Sequence, residues 1–278
     1  MRRRQYRWVL AVGLALGALL VGLLFPPSAD QAGVPGGWPE PLIQSRLHWV
    51  RVLDSKHFYT GYSEWRGAPL WVIYRSGYID NPAGPPRPDR FVRDWRVFHQ
   101  PGPRALTGSG YGRGHLAPNY AISRLYGRQA QLATFRMTNV VAQRSTMNRG
   151  VWQRIEELET DAWARQAEQF WVVTGPVFDE NREWVGAGVE VPDALFRVLL
   201  ARTADGAWHA LSFIVPQAAA ARADLRDYVT TVDDVESRIG FDLFPQLDPA
   251  LEVQLEAAMP SAYWRLSTVA TRPGRYTD

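Results

Sequence analysis

Tyr111-Gly112-Arg113-Gly114-His115-Leu116-Ala117-Pro118-Asn119 is the stretch on which the reading of this chain turns. A glycine-rich approach, Gly108-Ser109-Gly110, leads into it. Glycines there admit close backbone approach and dihedrals closed to other residues. On an extended strand, residues two apart share a face, so Arg113 and His115 set a cation beside a base. The same three residues also describe a surface arginine and a hydrogen-bonded histidine. The motif needs support from elsewhere in the chain.

That support comes from a second cluster. Asn148-Arg149-Gly150-Val151-Trp152 runs into a helical pattern in which Val151, Ile155, Leu158 and Ala162 recur at intervals of four, three and four. Glu156 lies eight residues after Asn148, a rise of about 12 Å if the helix is continuous, too far for both to ligate one ion directly. An Asn ligand with a Glu acting through bound water fits Mg²⁺, which keeps several waters. The plainer reading has Asn148 capping the helix and Glu156 on its solvated face. Asn139, in Met137-Thr-Asn-Val, reads alone as a loop residue bonding nearby backbone. His48, His57, His99 and His209 show no ligand spacing, and no zinc-protease, Walker A, nucleophile-elbow or dinucleotide motif is present.

Composition bounds what this chemistry can be. The 278 residues include 46% apolar and 12% aromatic residues, enough for a substantial core. With no cysteine there is no disulfide framework, thiolate metal site or cysteine nucleophile. The formal charge is +3, but Arg2, Arg3, Arg4 and Arg7 carry it: residues 26–278 hold 27 basic against 28 acidic residues. Any nucleic-acid binding must therefore come from a local patch. Lys56 is the single lysine.

Residues 1–7 read as a basic tail and Trp8 to Phe25 as an uninterrupted apolar run of 18 residues. Such a run spans roughly 27 Å, enough for a thin bilayer. The arginines before it put the N-terminus in the cytoplasm and the body on the other side, periplasmic if the run is an uncleaved signal anchor and secreted if it is a cleaved signal peptide. Residues 26–50 follow as a Pro/Gly linker, and 51–278 as the folded domain. Leu70–Tyr74, Phe170–Thr174 (ended by Gly175-Pro176), Phe196–Leu200 and Ala210–Val215 predict strands, the last two joined by a turn at Thr203–Gly206. Asn81–Asp89 and Pro101–Ser109 predict loops, and Ile122–Phe135 a loop with one helical turn. Val232–Glu236 opens a short helix that Gly240 ends. The irregular alternation of strands and helices indicates an α+β fold.

Taken together, these blocks resemble the DNA/RNA non-specific endonuclease family, the ββα-metal nucleases of the endonuclease G kind. The family's Asp-Arg-Gly-His stands here as Gly112-Arg113-Gly114-His115. Its downstream block stands as Thr138-Asn139, Gln143, Met147-Asn148-Arg149-Gly150-Val151-Trp152 and Glu156. Val173–Pro176, Val191-Pro192, Phe213–Pro216 and Val235-Glu236 with Gly240 extend the similarity over roughly residues 55–250. The resemblance implies a ββα-metal core on a mixed or antiparallel sheet and cleavage of DNA and RNA. It implies one divalent cation, Mg²⁺ or alternatively Mn²⁺, held by Asn148. It implies His115 as general base, Arg113 on the phosphate, Glu156 orienting water of the ion, and Asn139 supporting the loop. Two departures stand out. Gly112 replaces the family's acid. Thr160 sits where some members carry an arginine, whose place Arg144, Arg149 or Arg154 could take. Two rival readings follow, a catalytically silent nucleic-acid-binding module and a phosphodiesterase acting on another phosphate ester. An inhibitor protein, if one exists, leaves no mark in the sequence.

Overall fold

Four nine-residue strands form the centre of the molecule. The computed structural model describes residues 33–179 and 182–275. The basic tail, the apolar run 8–25 and the start of the linker lie outside the described residues. Along the chain the first strands are β1 (Glu40–Pro41), β2 (Arg51–Asp54), β3 (Phe58–Ser63), β4 (Ala68–Ser76), β5 (Gly112–His115) and β6 (Val140–Gln143). They are followed by β7 (Gln169–Val177), β8 (Glu183–Val185), β9 (Val189–Val191), β10 (Ala194–Arg202), β11 (Trp208–Pro216), β12 (Val229–Thr230) and β13 (Phe241–Asp242). The helices are α1 (Asn119–Thr134), the single turn α2 (Ser145–Met147), α3 (Gln153–Asp161), α4 (Val232–Ile239), α5 (Pro249–Glu256) and α6 (Leu266–Val269).

Seven strands pair antiparallel in the order β12-β11-β10-β7-β4-β3-β2. Leu195, Leu199, Leu211 and Phe213 of the sheet pack with Trp152, Ile155, Leu158 and Trp163 in one core. The fold is thus α+β on an antiparallel sheet, as the strand patterning predicts. The β10–β11 hairpin turns at Thr203–Gly206, where Gly206 has φ +89°. Thr231 caps α4 by accepting from the Asp234 amide, and Gly240 closes it at φ +72°.

Three expectations need correction. Ile122–Phe135 is not a loop: α1 runs through it, interrupted at Gly127 (φ +78°, ψ −168°). Strand β7 does not stop at Gly175-Pro176 but continues to Val177, with Pro176 opposite Leu195. Its pairing with β4 ends at Thr174, so the proline's missing N–H costs no ladder bond on that side. The stretch read as linker over 26–50 belongs, from Val34 on, to the body. Trp38 is buried and stacks on Trp71 at 6.1 Å, and β1 pairs with β13. Among the described residues no helix is long and apolar enough to cross a membrane.

Apart from the large sheet, β5 and β6 form their own antiparallel pair, with Gly112 opposite Gln143 and His115 opposite Val140. The chain leaves β6 through α2, passes a wide turn at Asn148–Trp152 and enters α3. Gly150 makes that passage possible. Its backbone (φ −100°, ψ −109°) leaves the helix, and a Cβ there would lie 2.3 Å from the Cα of Ala221. Backbone cannot yield as a side-chain tip can, so Gly150→Ala is expected to lower unfolding free energy by about 1–3 kcal/mol in urea titration. An unchanged midpoint would show that the 220s loop gives way freely.

Candidate active site

His115 closes β5 and lines a cleft of about 800 Å³. Arg113, Asn148 and Glu156 line the same cleft, so the structure brings together four residues spread over more than forty positions of sequence. Arg113 and His115 do share a face. The Arg113 guanidinium carbon lies 5.2 Å from the Phe91 ring centre, and the His115 ring lies 5.1 Å from it. Phe135 packs edge-on against the imidazole at 4.9 Å and touches Phe91 at the same distance. Burial among these rings, and secondarily the Arg87 guanidinium, push His115 down to about 3. This departs from the ordinary histidine range, and it keeps the imidazole neutral at pH 7. Its Nε2 is buried with no hydrogen-bond partner.

Asn139 supports the loop, and it does so at long range rather than on its own turn. Its Oδ1 accepts from the Ala117 amide at 2.9 Å, and its Nδ2 donates to the carbonyls of Ala117 and Thr134 at 3.0 Å each. These bonds fix the chain directly after His115. Gly114 is needed for a close approach: a Cβ there would meet the buried Gln143 side chain at 1.9 Å. Gly112 is under no such constraint. A Cβ at that position would have Gln143 O at 3.6 Å as its nearest neighbour, an ordinary contact.

Asn148 is helical (φ −63°, ψ −43°) and half-buried, and no side-chain cap is formed at either helix boundary beside it. Its carboxamide faces the cleft with Glu156. Glu156 is not a solvated surface acid. It lies 3.4 Å from the guanidinium of Arg197, a residue with no exposed surface on β10. Burial pushes its carboxyl up to about 7, against the pull of Arg197 and with nearby Glu159 adding to the rise. Amide and carboxylate oxygens are hard donors of the kind Mg²⁺ and Mn²⁺ prefer. One amide and one carboxylate lining the same cleft as the neutral imidazole fit a single hydrated divalent ion.

Several cleft residues carried no sequence signal. Arg87 comes from the proline-rich loop and Arg275 from the chain end; with Arg113, Arg124 and Arg149 they make five arginines around the cleft, against Glu156 and Glu157. This is the local basic patch that a near-neutral body requires. Of the arginines considered as substitutes near Thr160, Arg149 lines the cleft. Arg154 is buried on the carbonyls of Ala223, Ala270 and Arg272, and Arg144 leans on Tyr111. Arg275 instead comes alongside, pairing with Asp161 and stacking 4.7 Å from the Tyr120 ring. The first turn of α1, Asn119 to Ala121, also lines the cleft and has no side-chain cap, which puts the positive end of the helix dipole at its wall.

A family model described as DNA/RNA non-specific endonuclease matches residues 49–250. The human mitochondrial nuclease EXOG is 31% identical, over 88% of this chain and 73% of its own. A nuclease of Nostoc sp. is 26% identical (80% and 83%), and bovine mitochondrial endonuclease G is 27% identical (84% and 85%). Among solved structures, EndoG in complex with EndoGI superposes with a TM-score of 0.65 at 21% identity, covering 71% of this chain and 86% of that one.

Two outcomes follow from the geometry. Glu156 holds its proton in the folded chain from about pH 4.5 to about 7, where the unfolded chain has released it. Its contribution is therefore lost as pH rises through that window. Relative to Glu156→Gln, the wild type should lose on the order of 1–3 kcal/mol between pH 5 and pH 8 in urea unfolding; a difference constant with pH would contradict it. Gly112→Asp should fold with stability within about 0.5 kcal/mol of wild type, because open space surrounds the position.

Proposed function

The chain belongs to the DNA/RNA non-specific endonuclease family and is a nuclease, and from that premise we propose that His115 is its general base and that one divalent cation, Mg²⁺ or Mn²⁺, sits at Asn148. The family is metal-dependent. The observation that carries the reading is the shared cleft, in which a neutral imidazole, two hard oxygen donors and five arginines converge.

The phosphate of the substrate binds through Arg87, Arg113 and Arg149, with the free amides at the start of α1 adding their dipole. His115 takes a proton from the attacking water. The receiving atom is Nδ1, because Nε2 is sealed among the aromatic rings. A phosphate paired with Arg87 offsets the cation that depresses the imidazole, so the base strengthens once substrate is in place. Water oxygen bonds to phosphorus as the bond to the 3′ oxygen breaks. The ion, when bound, neutralises phosphate charge and stabilises that leaving oxygen. Asn148 would hold the ion, and Glu156, positioned by Arg197, would orient water bound to it. Contacts of this kind read backbone rather than bases, so sequence preference is weak and both DNA and RNA are cut. The apolar run 8–25 behind four arginines supports export of the catalytic body from the cytoplasm, as an uncleaved anchor or a cleaved signal peptide.

Incubating the full chain with supercoiled plasmid, with single-stranded RNA and with bis-p-nitrophenyl phosphate tests this reading. Mg²⁺-dependent cleavage of both nucleic acids is expected, and His115→Ala should lower it about 10²–10⁴-fold with an unchanged melting curve. Wild-type-like cleavage by that variant would remove His115 from the chemistry. A folded wild type that binds nucleic acid without cutting it is a silent module, and one that cuts only the small ester is a different phosphodiesterase.

A further inference from the structure

Away from the cleft, the helix pair α4 and α5 gathers carboxylates that nothing balances. Asp233 stands in the first turn of α4, Glu236 one turn later, and Glu256 is the last residue of α5. One carboxylate oxygen from each lies within 4.8 Å of the others. Asp233 is exposed, but Glu236 and Glu256 are 8% and 5% exposed. Burying two carboxylates costs several kcal/mol each unless a cation compensates. The strongest charged neighbours of both are acidic: Asp242, Asp233 and Glu252 around Glu236, and Glu236, Glu252, Asp242 and Asp233 around Glu256. Glu236 has one partner, accepting from the Leu243 amide at 2.7 Å. Glu256 Oε1 is buried with no partner, and the residue also sits at the negative end of its helix dipole. An acid buried to this extent, unpaired and among other acids, is what a metal-free cation site looks like.

We propose that Asp233, Glu236 and Glu256 bind a divalent cation of the calcium type, which ties α5 to α4 and is separate from the catalytic ion. Oxygens across a Ca²⁺ at 2.3–2.6 Å lie up to about 5 Å apart, so this spacing suits that ion. Carboxylates on two helices, one of them at the solvent edge, leave room for water to complete a coordination of six to eight. The ion compensates the buried charge and joins α5 to α4. It takes no part in hydrolysis, so the inference stands whether or not the nuclease reading does.

The experiment uses the EDTA-stripped full chain and CaCl₂ alone, read by thermal melting and by calorimetric titration at pH 8. Wild type should gain roughly 5 °C at a hundredfold excess over Kd. Asn148→Ala, which alters the cleft, should keep that gain and bind one Ca²⁺. Glu256→Gln should lose it, and should melt above wild type in EDTA, where repulsion is relieved, but below it in calcium. Asp233→Asn, at the exposed edge, folds without a buried change and should weaken binding at least tenfold. Absence of a calcium-dependent gain in wild type overturns the proposal. So does an equal gain in Glu256→Gln, or a gain that Asn148→Ala abolishes. Glu256→Gln melting above wild type in both conditions shows that the glutamates share a proton rather than a cation.

Discussion

A single buried guanidinium holds α3 to the sheet. Arg197 points from the middle of β10 and has no exposed surface. Its Nη2 donates to the Tyr74 hydroxyl at 2.7 Å, and Tyr74 donates in turn to Glu159 at 2.9 Å. Ser76 donates to the other oxygen of Glu159 at 2.6 Å. Glu156 lies at 3.4 Å on the cleft side and the Trp152 ring at 4.9 Å. Strands β4 and β10 and helix α3 therefore meet at one charge. Removing any partner leaves another buried and unpaired, which is costly in a low-dielectric interior. Two acids face one cation, and burial raises both carboxyls. Glu156 is the one of the two that lines the cleft, so the network that fixes the helix also sets the charge state of a cleft residue.

The cleft illustrates how a body near electrical neutrality can handle a polyanion. Arginines from four separate places, the proline-rich loop, β5 with α1, the turn after α2 and the chain end, open on one space. Most other arginines are occupied: Arg66 and Arg182 on Glu190, Arg96 on Asp94, Arg154 on backbone carbonyls. Charge is concentrated by position rather than by number. The aromatic residues act with it. Phe91 carries both Arg113 and His115 on its face, so their separation is set by packing rather than by a flexible hydrogen bond.

Legibility in the sequence followed how local each feature is. The strand readings succeeded where apolar runs are long, as at β4, β10 and β11, and α4 was announced by Val232–Glu236 and its closing glycine. Helix α1 was missed because its buried face mixes alanines with polar residues (Ser123, Gln131 and Thr134 beside Ala121, Ala130 and Ala133), with Gly127 breaking the period and no polar cap before Asn119. The segment looked like a linker because Pro and Gly make up half of residues 26–41. Trp38 packs on the rings of Trp71 and Tyr59, both more than twenty residues further on, at 6.1 and 4.5 Å. Arg197 had one visible sign, a lone charge inside a nine-residue apolar strand, whose meaning depends on two glutamates some forty residues earlier.

The sequence by itself determined the class of protein and the chemistry it can host. Spaced motifs with a base, an arginine and hard oxygen donors are local facts about residue type, and they survive without coordinates. Only the tertiary structure decided their electrostatic state. The neutral imidazole of His115, the raised carboxyl of Glu156, the arrival of Arg87 and Arg275 at the cleft and the unbalanced acids between α4 and α5 all depend on burial and on partners far along the chain. Desolvation and Coulomb interaction act through space, and spacing along a sequence does not record distance in space.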